Sequence, residues 1–126
     1  MSLLDAEHIM VTTFNPDVKS VERVGQLADG RIGFWSPDAT EMAERFSEPQ
    51  TVIVRICDRG GKPNLEQPLY EGRAQYLASG SVFDEIRGVI HEKYGLGLKV
   101  ENAMDRAKEL FGKKTPEGAV VIDIIG

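Results

Sequence analysis

The clearest hydrophobic pattern in this chain lies between Thr51 and Ala78. Thr51 to Cys57, TVIVRIC, is a nearly unbroken β-branched and apolar run, and a turn signal follows at Gly60-Gly61. Beyond the turn, Leu69, Glu71, Arg73, Gln75 and Leu77 alternate with Tyr70, Gly72, Ala74, Tyr76 and Ala78. A period of two suits a strand with one buried face and is of no use to a helix. The pattern predicts two long antiparallel strands that nucleate a sheet.

The remaining pattern adds elements on both sides. Asp5 can cap a short opening helix, Met10–Phe14 reads as a first strand, and Asn15-Pro16-Asp17 ends it. A second strand, Ser20 to Ala28, turns at Asp29-Gly30 into a return arm, Arg31 to Ser36. Pro37 stops that arm. Asp38 with Glu41 three residues later has the form of a capping box for a short helix, Ala39 to about Ser47, with Met42, Arg45 and Phe46 turned inward. Ser81 with Asp84 opens a longer helix in which Val82, Phe83, Ile86, Val89, Ile90 and Tyr94 keep helical spacing, closed by Gly95 and Gly97. Val100, Ala103, Met104, Ala107, Leu110 and Phe111 form a third apolar stripe. Ala119–Ile125 reads as a final strand apolar enough to lie between neighbours. Six strands and two or three helices, arranged in runs, predict an α+β domain spanning residues 1–126 with a mainly antiparallel sheet. Six strands in so short a chain favour closure into a barrel over a flat sheet with exposed edges.

Composition narrows the function classes. With 20 acidic and 15 basic residues, a net charge of −5 and basic residues scattered singly apart from Lys113-Lys114, the chain lacks the footprint of a nucleic-acid binder. One cysteine excludes an internal disulfide and a cysteine metal cage. No apolar run approaches the roughly 20 residues that span a bilayer, and MSLLDAEHIM has no basic leader, so a cytoplasmic protein without a membrane partner is expected. His8 and His91 belong to no metal-spaced cluster, so no metal is expected. Gly-rich phosphate loops and nucleophile elbows are absent, and Cys57, at the end of an apolar strand, reads as a small core residue.

The order of several short motifs carries more than any one of them. Val11-Thr12-Thr13-Phe14, Asp29-Gly30-Arg31-Ile32, Pro49-Gln50-Thr51-Val52, Cys57-Asp58-Arg59-Gly60-Gly61-Lys62-Pro63, Glu71-Gly72-Arg73-Ala74, Lys93-Tyr94-Gly95-Leu96 and Val120-Val121-Ile122-Asp123 follow one another over nearly the whole chain. Together they resemble the pyridoxamine 5′-phosphate oxidase-like superfamily, and within it the small actinobacterial branch of coenzyme F420-dependent flavin and deazaflavin oxidoreductases. The resemblance implies a six-stranded split β-barrel and a homodimer holding F420 or FMN between its subunits. The implied reaction passes a hydride between that cofactor and a small-molecule substrate. Because the cofactor does the chemistry, no catalytic acid or base need show in the sequence.

In such relatives the cofactor phosphate is held at the end of the third strand and the start of the next helix, by hydroxyls and several cations. Carried onto this chain, that segment supplies Trp35, Ser36, Thr40 and Arg45, but it also carries Asp38, Glu41, Glu44 and Glu48. A charged hydrogen bond to phosphate contributes roughly 1.5–3 kcal/mol, while a carboxylate about 4 Å away repels by about 1–4 kcal/mol. The acidic segment therefore favours an alternative: a non-enzymatic split-barrel dimer that has lost the phosphate site, possesses no cofactor, and binds another ligand or partner. Arg55 is the counterweight, a cation inside an apolar strand, with Arg23 and Arg73 on strands nearby. Either each pairs with an acid such as Glu22, Glu71 or Asp58, or they replace the missing phosphate ligands from another direction. Trp35 reads either as a dimer-interface anchor or as a wall against the cofactor ring.

Overall fold

A computed structural model describes residues 6–14, 17–94 and 117–125 of the chain. These build seven strands and two helices: β1 His8–Phe14, β2 Asp17–Arg23, β3 Gly25–Gln26, β4 Ile32–Ser36, α1 Thr40–Arg45, β5 Gln50–Cys57, β6 Leu69–Leu77, α2 Ser81–Tyr94 and β7 Gly118–Ile124. All seven strands join one antiparallel sheet in the order β2-β1-β5-β6-β7-β4-β3. The two edge strands, β2 and β3, are consecutive in sequence with only Val24 between them. The sheet must therefore curl into a half-barrel that brings its edges together at that residue.

The expected strand Ser20–Ala28 is thus two strands, and the count is seven where six were expected. Up to Arg23 the chain pairs with β1; from Gly25 it pairs with β4. Val24, 1% exposed, packs inward at the bend. Its carbonyl accepts from the Lys93 ammonium at 2.9 Å and the Tyr94 hydroxyl at 2.6 Å, so the end of α2 satisfies the backbone where the sheet changes partner. The opening strand begins at His8, two residues before the expected Met10. The Asp5 cap, the Gly95-Gly97 stop and the third apolar stripe lie outside the described residues.

The alternation in β6 is observed. Gly72 and Ala74 are buried, whereas Glu71, Arg73 and Gln75 are exposed. Inside the curl, Ile9, Val11, Ile32, Phe34, Val52, Val54, Ala74, Val120 and Ile122 make the main core. α1 covers it with Phe46, whose ring meets Phe34 edge-on at 6.1 Å, and with Met42. The turns at Asp29-Gly30 and Gly60-Gly61 form where expected, with φ of 90° at Gly30 and 88° at Gly61, values that glycine reaches without steric cost.

α2 lies on the outside, against β3, β4 and β7. Phe83, Ile86 and Ile90 pack on Leu27, Ala119 and Val121 with Trp35 and Leu77 at the margin. The approach is close because β4 has no side chain at Gly33, where a Cβ would stand 2.8 Å from Ile86. β7 is consequently covered on both faces and sits between β6 and β4, as its unbroken apolar run predicts. No helix among the described residues is long and apolar enough to cross a membrane.

Among the described residues, no helix packs on the outer faces of β2, β1, β5 and β6. Their outward residues follow from the register: Val21, Met10, Arg55 and Leu69 make one row, and Lys19, Thr12, Ile53 and Glu71 the next. Val21 and Leu69 are 36% and 55% exposed.

Candidate functional site

The segment carried over from the family runs along one groove. Inward residues of β2 form one wall, Phe34 and Ser36 of β4 another, and Met42 and Arg45 of α1 with Phe46 just after it the third, around a volume of about 370 Å³. Ser36 and Arg45 are brought together here, with Ser20, Glu22, Asp38 and Glu41, and with Lys19, whose strand position faces outward, only at the edge. Trp35, next along β4, points to the opposite face, where its ring meets His91 edge-on at 4.8 Å and its indole N–H donates to Glu117 at 3.0 Å. Arg87 holds the same Glu117 carboxylate at 3.1 Å.

The polar groups of the groove are occupied by one another. The Ser36 hydroxyl donates to the Asp38 carbonyl at 2.7 Å and accepts from the Asp38 amide at 3.2 Å. Thr40 gives both its amide and its hydroxyl to the Asp38 carboxylate, at 3.2 and 2.8 Å. This turn replaces the expected capping box: α1 starts one residue later, with Ala39 at the cap position and no side chain bonded there. The Arg45 guanidinium donates to Thr13 Oγ1 at 3.1 Å, Ser20 Oγ at 2.5 Å, the Val11 carbonyl at 2.8 Å and the Val18 carbonyl at 3.0 Å. Those four bonds engage four of the five N–H groups a guanidinium has. Arg45 thus ties α1 to the β1–β2 hairpin.

Electrostatics reinforce that reading. Burial raises the pKa of Glu22 despite the Ser20 hydrogen bond and the charge of Arg45, and burial lowers that of Arg45 despite Glu22. A phosphate entering the groove would face three carboxylates, Glu22, Asp38 and Glu41, and a guanidinium already hydrogen-bonded. The residues under α1 do not fit a phosphate.

Arg55 lies elsewhere, on the outer face of β5 between Met10 and Leu69 in the register. Its Nε is buried and, among the described residues, has no hydrogen-bond partner. Among the described residues, neither Arg55 nor Arg23 nor Arg73 forms an ion pair with Glu22, Glu71 or Asp58. The Asp58 carboxylate instead accepts from the amides of Gly60 at 2.9 Å and Lys62 at 2.8 Å. Cys57 is buried, 8% exposed, and burial pushes its thiol pKa up.

Two features of these sites were not read from the sequence. Glu22 and Ser20 reach the groove because β2 turns them inward, which only becomes visible once the chain is broken at Val24. His8, Arg23 and Arg59 share a second cavity through strand register, and no local motif joins them. No group of three or more potential metal ligands occurs among the described residues.

Comparisons of the chain with family models, with curated proteins and with solved structures find no match.

Proposed function

We propose that this protein is a cytoplasmic split-barrel homodimer whose outer face, β2-β1-β5-β6, on which no helix packs among the described residues, meets a second copy, and that F420 or FMN binds along that face with an anionic group on Arg55. The observation that carries this reading is the buried Nε of Arg55, without a partner among the described residues, on a face with exposed apolar residues. Leaving such a group without a partner costs about 1–3 kcal/mol, more for a charged one, so a missing anion or acceptor is the natural completion. The order of family motifs along the chain supports the cofactor class. Bound there, the cofactor would supply hydride transfer to a small substrate; this chain's part is to anchor its charge at Arg55 and keep water from the reacting face with Met10, Ile53 and Leu69.

A second reading has its own support. The satisfied, acidic groove under α1 favours a split-barrel protein that has lost the usual phosphate site and binds another ligand or partner. Fluorescence titration with F420 and with FMN separates the two. The first reading expects saturable binding weakened about 10–100-fold by Arg55→Met, the loss of one charged hydrogen bond, and unchanged by Ser36→Ala. Absence of binding to either cofactor at high micromolar concentration would leave the second reading standing, and cofactor-dependent turnover would remove it.

A further inference from the structure

A cavity of about 490 Å³ opens where β1 begins and β2 and β5 end. Register assembles it: His8 stands between Arg23 on one side and Cys57 on the other. Arg59 enters from the turn after β5, and Tyr94 from the last turn of α2. The Arg23 guanidinium lies 5.4 Å from the centre of the Tyr94 ring, a contact that orients it without using its N–H groups.

The acids at this site leave those donors available. Asp58 is turned into its own loop by the Gly60 and Lys62 amides. Glu7 is exposed at the rim, and among the described residues no carboxylate lies within 4.0 Å of either Arg23 or Arg59. Cys57, outward on β5, and the ring of Tyr94 give the lining an apolar surface, while Ile56 beside it turns into the core; the hydroxyl of Tyr94 is committed to the carbonyls of Glu7 and Val24 at 2.5 and 2.6 Å. Two forked cations over an apolar floor match a planar carboxylate or a phosphate joined to a small organic body.

We propose that this cavity is a binding site for a small carboxylate- or phosphate-bearing molecule, its anionic group held by Arg23 and Arg59 and its apolar part resting on Cys57 and the Tyr94 ring. Cys57 follows Arg55 by two residues on the same face of β5, roughly 7 Å along the strand, so the cavity borders the surface assigned above. It does not rest on the cofactor reading, because its ligand needs no flavin.

The chain's single cysteine provides the reporter. Alkylation of Cys57 by N-ethylmaleimide, an uncharged reagent, would be followed while inorganic phosphate or succinate is titrated at constant ionic strength. The proposal expects saturable protection of at least fivefold from one of these anions. Arg23→Gln and Arg59→Gln should each raise the half-protecting concentration about tenfold or more while the unfolding midpoint stays unchanged. Which anion protects distinguishes the phosphate from the carboxylate class. A rate indifferent to both anions, or protection that survives both substitutions, would overturn the proposal. Should the thiol prove too shielded to react, calorimetric titration of the same variants with the same anions decides between the same two outcomes.

Discussion

Under α1, the guanidinium of Arg45 is bonded to two strands of the sheet and lies near Glu22. On the outer face of β5, Arg55 leaves its Nε buried without an acceptor among the described residues. One arginine is satisfied within the fold; the other keeps an Nε for which the described residues supply no acceptor. The contrast shows that an arginine in a cleft beside hydroxyls is a poor indicator of a phosphate site until its hydrogen bonds are counted. An arginine on a strand that faces outward can be the better candidate.

The sharpest way to break this comparison is the same substitution at both positions. Arg45→Met removes four hydrogen bonds and leaves the Val11 and Val18 carbonyls without that donor, so it should lower unfolding free energy by about 2–4 kcal/mol, read from the urea midpoint. Arg55→Met, in a background held monomeric, replaces an unsatisfied buried polar atom with an apolar side chain. It should change stability by no more than about 1 kcal/mol, and in the favourable direction. Equal losses at both positions would erase the distinction.

A smaller effect concerns pH. Burial raises the Glu22 pKa above its ordinary 4.5, so the native state holds that proton more readily than the unfolded chain. Stability contributed by the protonated carboxyl is present below about 4.5 and is lost as pH rises through the raised native value. Glu22→Gln should flatten the stability curve over that interval. An unaltered slope would mean that Glu22 is solvated and that the groove is more open than described.

Much of the architecture was legible because it depends on local periodicity. The alternation from Leu69 to Leu77, the turn at Asp29-Gly30 and the apolar run of β7 each specify a conformation and a degree of burial by themselves. The break at Val24 was not legible, since Ser20 to Ala28 contains no proline and no turn pair that would end a strand; the change of partner is imposed by sheet closure and by Lys93 and Tyr94, about 70 residues away. The site was less legible still. Ser36 and Arg45 do share a groove, but the amide of Asp38, which donates to Ser36, and the hydroxyls of Thr13 and Ser20, which accept from Arg45, decide what they are free to do, and those of Arg45 are set by tertiary packing. The cavity formed by His8, Arg23 and Arg59 depends on which residues the register places side by side.

Sedimentation equilibrium of the wild-type chain and of Ile53→Lys tests most directly whether the outer face is the working surface. Ile53 lies at the middle of that face opposite Glu71, so a lysine there can pair within one chain while placing a charge in any interface. The account predicts twice the 13.9 kDa chain mass for the wild type at low micromolar concentration, and a folded monomer for the variant, with association weakened about a hundredfold or more. A wild-type chain that stays monomeric to high micromolar concentration, or a variant that dimerises as well as the wild type, would contradict it.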